Sequence, residues 1–125
     1  MWSYDQSEFP AFPGFDLQVF KAELPTRSVS ARAKLDIGAS ITVIPEQFVA
    51  WLNLSIRDHI QTTGYDGASR LLPVYGIDLK FNGFDINWID CVATERKNVL
   101  LGRNVLNLFF ITLDGPNLTF DMKQE

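Results

Sequence analysis

Cysteine is almost missing from this 125-residue chain: Cys91 stands alone, so no intrachain disulfide can form and a reducing compartment is expected. Histidine is almost missing too. His59 is the only one, it sits in what reads as a polar connector, and nothing near it marks a nucleophile, which argues against a Ser-His-Asp or Cys-His catalyst. One Cys and one His also fall short of a metal site, so neither a metal nor a cofactor is expected. The Lys and Arg residues form no cluster, and the formal net charge is −4, which makes nucleic acid a poor partner. The longest apolar stretch, Val105 to Leu113, contains Asn107 and Thr112 and is too short to span a bilayer. A phosphate loop is lacking, because Gly64-Tyr65-Asp66-Gly67 has no Lys and no following helix. Met1-Trp2-Ser3-Tyr4-Asp5 has neither the basic start nor the apolar core of a signal peptide. A cytoplasmic protein, or a domain released from a larger polyprotein, is the expectation.

What the chain does have is apolar and aromatic mass. It is 46% apolar and 21% charged, with ten Phe, a composition that suits one globular domain with large side chains packed between strands. Residues 1–14, with Pro10, Pro13 and Gly14, read as an extended arm, leaving 15–125 as the domain. Phe15 to Ala22 and Val29 to Ile37 alternate apolar and polar, as strands do. The chain turns between them at Glu23-Leu24-Pro25-Thr26-Arg27. Glu46 to Leu52 has helical spacing, with Pro45 suited to its first turn and Asn53 able to end it. Ile60–Thr63 and Leu71–Phe81 flank a glycine-bounded tip, Gly64 to Gly67, and Asn82-Gly83 marks a second hairpin before the strand Phe84–Thr94. Val99 to Leu101 is a short strand, a helix starts near Arg103, and strands at 109–113 and 118–121 close the chain around Asp114-Gly115-Pro116-Asn117. Short strands at short intervals with two short helices predict an all-β, closed antiparallel barrel with a hairpin flap.

The stretch that can carry chemistry is Leu35-Asp36-Ile37-Gly38-Ala39-Ser40. A carboxylate at a strand end is followed by Gly, expected to supply an unusual backbone angle, and by small side chains that let another molecule approach. One loop carboxylate is a weak catalyst. Two at about 3 Å cannot both ionise, share a proton, and can hold and activate a water. The chain offers one such loop, so a pair requires two copies about a two-fold axis, a homodimer.

Leu35-Asp36-Ile37-Gly38-Ala39-Ser40, with Ile44-Pro45 after it, resembles the active-site loop of the retroviral-type (retropepsin-like) aspartic proteases, whose pattern is Asp-Thr/Ser-Gly-Ala. Val99-Leu100-Leu101-Gly102-Arg103-Asn104-Val105-Leu106 resembles that family's apolar-apolar-Gly-Arg-Asn/Asp-helix segment, and Gly64 to Gly67 falls where the family places its flap tip. The likeness runs from about Phe15 to Asp121 and is greatest to the single-domain bacterial and cellular members, which share the Thr-Leu-Asp-Gly-Pro turn of residues 112–116. It implies a barrel protomer, a symmetric dimer and hydrolysis of a peptide or protein substrate by a water held between the two Asp36 carboxylates. It further implies that Gly38, Ala39, Ser40 and the flap residues Gly64, Tyr65, Asp66 and Gly67 contact substrate. Ile37, Thr42, Gly102, Arg103 and Asn104 would support the site, Thr42 and Asn104 by hydrogen-bonding the loop to the C-terminal helix.

Two departures stand out. Ile37 replaces the family's Thr or Ser, whose hydroxyl bonds across the dimer axis, so two interprotomer hydrogen bonds worth about 1 kcal/mol each are lost. Ser40 replaces the acid that pairs with the family's Arg, leaving Arg103 to find another acceptor such as a backbone carbonyl. A catalytically weakened or inactive dimerisation or peptide-binding module on the same barrel is therefore the alternative. A structural barrel with Asp36 as a plain turn residue is a third reading.

Overall fold

A computed structural model describes residues 1–23, 27–63 and 66–124. The strands are β1 (Trp2–Ser3), β2 (Gly14–Lys21), β3 (Ser28–Leu35) and β4 (Thr42–Pro45), followed by helix α1 (Gln47–Trp51). Then come β5 (Ile56–Thr63), β6 (Ser69–Phe81), β7 (Phe84–Thr94), β8 (Val99–Leu101), helix α2 (Arg103–Leu106), β9 (Phe110–Asp114) and β10 (Thr119–Lys123). The order β2-β3-β8-β4-β7-β6 closes on itself through β2–β6 pairing, giving the barrel, with β5 attached outside β6. β1, β10 and β9 form a separate three-stranded sheet.

Side-chain alternation drives this arrangement. Leu17 and Val19 of β2, Ile77 and Leu79 of β6, and Val99 and Leu101 of β8 point inward and are at most 3% exposed, while their neighbours face out. Two aromatic contacts tie the small sheet to the barrel: Phe15 of β2 meets both Trp2 of β1 and Phe120 of β10, each at 6.2 Å between ring centroids. Asn82 (φ 48°) and Gly83 (φ 83°) form the tight turn between β6 and β7, both in the left-handed region that Asn-Gly tolerates.

Most ladders are antiparallel, but β3–β8 and β4–β7 run parallel, which period-two alternation does not reveal. The strand expected at 60–63 begins at Ile56, so His59 lies exposed within β5 and not in a connector; residues 56–59 are exposed on both faces and carry no apolar alternation. Pro45 ends β4, opposite Thr94, instead of opening the helix, and Glu46 stands at the N-cap position of α1 without a side-chain capping bond. Asn53, at φ 52°, does end that helix. Residues 1–13 run against β3 and β10: Tyr4 N donates to Leu118 O, Leu35 N donates to Pro13 O, and Asp5 and Glu8 pair with Arg32 and Lys34. Leu24, Pro25 and Thr26 of the expected first turn lie outside the described residues. No helix among the described residues is long and apolar enough to cross a membrane.

Candidate active site

β3 delivers Asp36. Ala33 and Leu35 pack toward the core, β3 stops at Leu35, and Asp36 N donates to Leu101 O at 3.0 Å, holding the loop start against β8. The chain then tightens on itself. Asp36 Oδ1 accepts Gly38 N at 2.9 Å and Asp36 O accepts Ala39 N at 3.2 Å, an Asx-type turn that leaves the carboxylate half-buried. Gly38 does not take the unusual angle expected of it: its φ lies outside the left-handed region, and a Cβ there would stand 3.1 Å from Asp36 Oδ1, a tight contact that the carboxylate would have to shift to relieve. Ile37 does not continue the apolar face of β3. It is 61% exposed, beside Gly38 and Ser40, which are also exposed.

The loop is locked from behind by the segment that starts α2. Arg103 donates twice to it, from its backbone N to Ala39 O (2.8 Å) and from Nη1 to Ile37 O (2.8 Å). A backbone carbonyl is thus the acceptor that replaces the missing acid at Ser40. Thr42 is fully buried; its backbone N and its Oγ1 both donate to Asn104 Oδ1, at 3.0 and 2.9 Å. Thr42 Oγ1 also accepts Gly102 N at 3.2 Å, and Asn104 Nδ2 donates to Asp90 O at 2.8 Å. Every member of this buried network has a partner, so it rigidifies the loop. At Gly102 a Cβ would lie 2.5 Å from the carbonyl carbon of Ile41 and 2.6 Å from its oxygen, so only glycine lets the two segments approach. The sequence reading brought Thr42, Gly102, Arg103 and Asn104 to this place but missed Leu101 O and Asp90 O, since a backbone acceptor leaves no mark in residue type.

The hairpin expected as a flap is β5–β6. Its ladder runs from Asp58↔Val74 to Thr63↔Ser69. β6 pairs with β7 only from Tyr75 onward, so the hairpin projects past the barrel. At its end Asp66 Oδ1 accepts Ala68 N at 3.0 Å and Gly67 has φ 77°. Gly64 and Tyr65 lie outside the described residues.

Among solved structures, the chain is similar to the simian foamy virus (mac) protease, with a TM-score of 0.55 at 19% identity over 74% of this chain and 92% of that one. It is also similar to a retropepsin-like aspartic protease from Rickettsia conorii, with a TM-score of 0.59 at 14% identity over 90% and 82% of the two chains. The fold is retropepsin-like. EIAV protease in complex with the inhibitor HBY-793 shares this retropepsin-like fold, with a TM-score of 0.52 at 18% identity over 84% and 91%. No family model matches the sequence, and no curated protein matches it.

Other titratable groups stand apart from the Asp36 loop. Burial, and then the neighbouring Asp90 charge, push the Cys91 thiol up to about 12, and the side chain is fully enclosed in the core. His59 N donates to the carboxylate of Asp58, and the ring lies on the exposed hairpin strand. Among the described residues no three His, Cys, Asp or Glu side chains gather as metal ligands.

Proposed function

We propose that the chain is one protomer of a homodimeric aspartic endopeptidase. The observation that carries this reading is the Asp36 loop: a carboxylate on a tight turn, its backbone fixed by Leu101 and by both donors of Arg103. A second copy of the loop supplies the second carboxylate. One Asp36, ionised, takes a proton from the water between them while the oxygen attacks the scissile carbonyl carbon. The other, protonated, gives its proton to the carbonyl oxygen, so the intermediate is a neutral gem-diol. Its collapse breaks the C–N bond as the amine leaves with a proton, and the carboxyl product departs. Gly38, Ala39 and Ser40 line the substrate channel, and residues 64–67 close over an extended peptide.

Support for the dimer comes from apolar side chains that one chain leaves uncovered. Ile37 is in the Asp36 loop, Leu108 follows α2, and Phe110 and Leu113 lie on β9, an edge strand whose outer hydrogen-bonding side has no strand partner among the described residues. Such an edge is a template for pairing with a second strand. We place the protein in a reducing compartment such as the cytoplasm because its one thiol is buried and unpaired. The test is inhibition by a statine peptide together with peptide cleavage at mildly acidic pH; persistent cleavage by Asp36→Asn removes the reading.

Ile37 favours a second reading, a dimerisation or peptide-binding module without activity. Its side chain is exposed where a hydroxyl would reach the partner, and it cannot donate. Ile37→Thr separates the two. A tighter dimer and faster cleavage support a damaged or tuned protease. If neither the parent nor Ile37→Thr cuts any peptide between pH 3 and 8, the module reading stands.

A further inference from the structure

Successive strand residues face opposite sides. On β6, Tyr75 and Ile77 belong to the barrel core, so Val74, Leu72 and Arg70 share the other face. Register carries that face across the sheet. Val92 of β7 lies opposite in sense to the core residue Cys91 and sits beside Val43 of β4, which pairs in turn with Leu100 of β8. Val74 and Val92 are 3% and 4% exposed although neither is part of the barrel core, so this outer face has an apolar layer of its own. One continuous face therefore runs from Leu100 of β8 across β4 and β7 to the projecting hairpin, and the Asp36 loop adjoins its β8 end, where Asp36 N is held by Leu101 O.

On the hairpin, Ile60 pairs with Leu72 and Thr62 with Arg70, again on this face. Arg70 is exposed. Among the described residues no carboxylate lies within ion-pair distance of it. The acids nearest in the hairpin are engaged elsewhere: Asp58, also on this face, accepts His59 N and sits four strand positions away opposite Val74, and Asp66 accepts Ala68 N. A guanidinium that is not neutralised, held on the hairpin face continuous with the sheet surface beside the Asp36 loop and bordered by aliphatic side chains, matches an acidic group set among apolar ones.

We propose that Arg70 is a specificity-determining residue: it pairs with an Asp or Glu side chain of the peptide substrate while neighbouring aliphatic side chains rest on the Leu72–Val43–Leu100 face. This deepens the endopeptidase reading and rests on it. The test is cleavage of a mixed peptide library by the full chain, with the products sequenced by mass spectrometry, at pH 5–6, where substrate carboxylates are ionised. Expected is enrichment of Asp and Glu at one fixed position relative to the cut. At that position kcat/KM should fall roughly tenfold when the acid is replaced by its amide, the ratio that corresponds to about 1.4 kcal/mol. Arg70→Glu should invert the preference toward Lys and Arg, and Arg70→Lys should keep it in weaker form. Cleavage with no acidic enrichment, or enrichment unchanged in Arg70→Glu, overturns the assignment of Arg70 and leaves the protease reading intact. No cleavage by the unmodified chain at any pH overturns both.

Discussion

Removing one hydroxyl, in Thr42→Val, tests the brace behind the Asp36 loop. The two side chains have nearly the same shape, and position 42 is fully buried, so no cavity forms and the change is confined to hydrogen bonding. Oγ1 donates to Asn104 Oδ1 at 2.9 Å and accepts Gly102 N at 3.2 Å. After substitution, Asn104 Oδ1 keeps the backbone N of residue 42, but Gly102 N–H has lost its acceptor in a site closed to water. A net loss of about 1 kcal/mol for the first bond, and about 1–3 kcal/mol for the orphaned donor, gives a destabilisation of about 2–4 kcal/mol. A domain of this size is stable by about 5–15 kcal/mol, so the variant should still fold. Urea unfolding at one fixed protein concentration, to hold any association constant, should show a lower midpoint with an unchanged slope. A loss below about 0.5 kcal/mol would refute the view that this network holds the loop.

Gly102→Ala should be more damaging than its chemistry suggests, because the new Cβ would lie 2.5 Å from the backbone of Ile41 and neither strand can move without breaking the brace. Overpacking of this kind costs about 1–3 kcal/mol, measurable in the same unfolding experiment, and a neutral outcome would mean the segments are looser than described. Cys91 should resist alkylation in the folded protein and react only after unfolding, since its thiol is enclosed and held up to about 12 from an ordinary 9.0. With the folded pKa raised, the neutral thiol's contribution to stability is complete below pH 9 and disappears as pH climbs toward 12, so denaturation midpoints should fall across that window. Rapid labelling of the native protein at pH 8 would contradict the placement of Cys91.

Much of the fold was legible because it rests on local signals. Alternation marked β2 and β3, Asn82-Gly83 marked its hairpin, and Asp36-Ile37-Gly38 and Gly102-Arg103-Asn104 marked the two segments that meet behind the loop. The rest depends on relations between distant strands. The parallel β3–β8 and β4–β7 pairings are set by the closure of the barrel, and a strand's own residues look the same in either direction. Residues 56–59 show no strand signal because all four of their own side chains are exposed and the burial on this part of the ladder comes from their partners Val74 and Tyr75. The acceptor of Arg103 was legible only as a class, since any carbonyl could serve and Ile37 O was chosen by the turn at Asp36. At Gly38 the glycine was expected for its backbone freedom, while its φ lies outside the left-handed region and a Cβ would be tight against the carboxylate.

The most direct measurement is peptide cleavage by the unmodified chain and by Asp36→Asn, side by side on one peptide library at mildly acidic pH, with sedimentation confirming that both samples have the same mass in solution. The account predicts a dimer that cuts and an equally folded dimer with Asn at position 36 that does not. Equal cleavage by the two would contradict it, because Asp36 would then have no part in the chemistry.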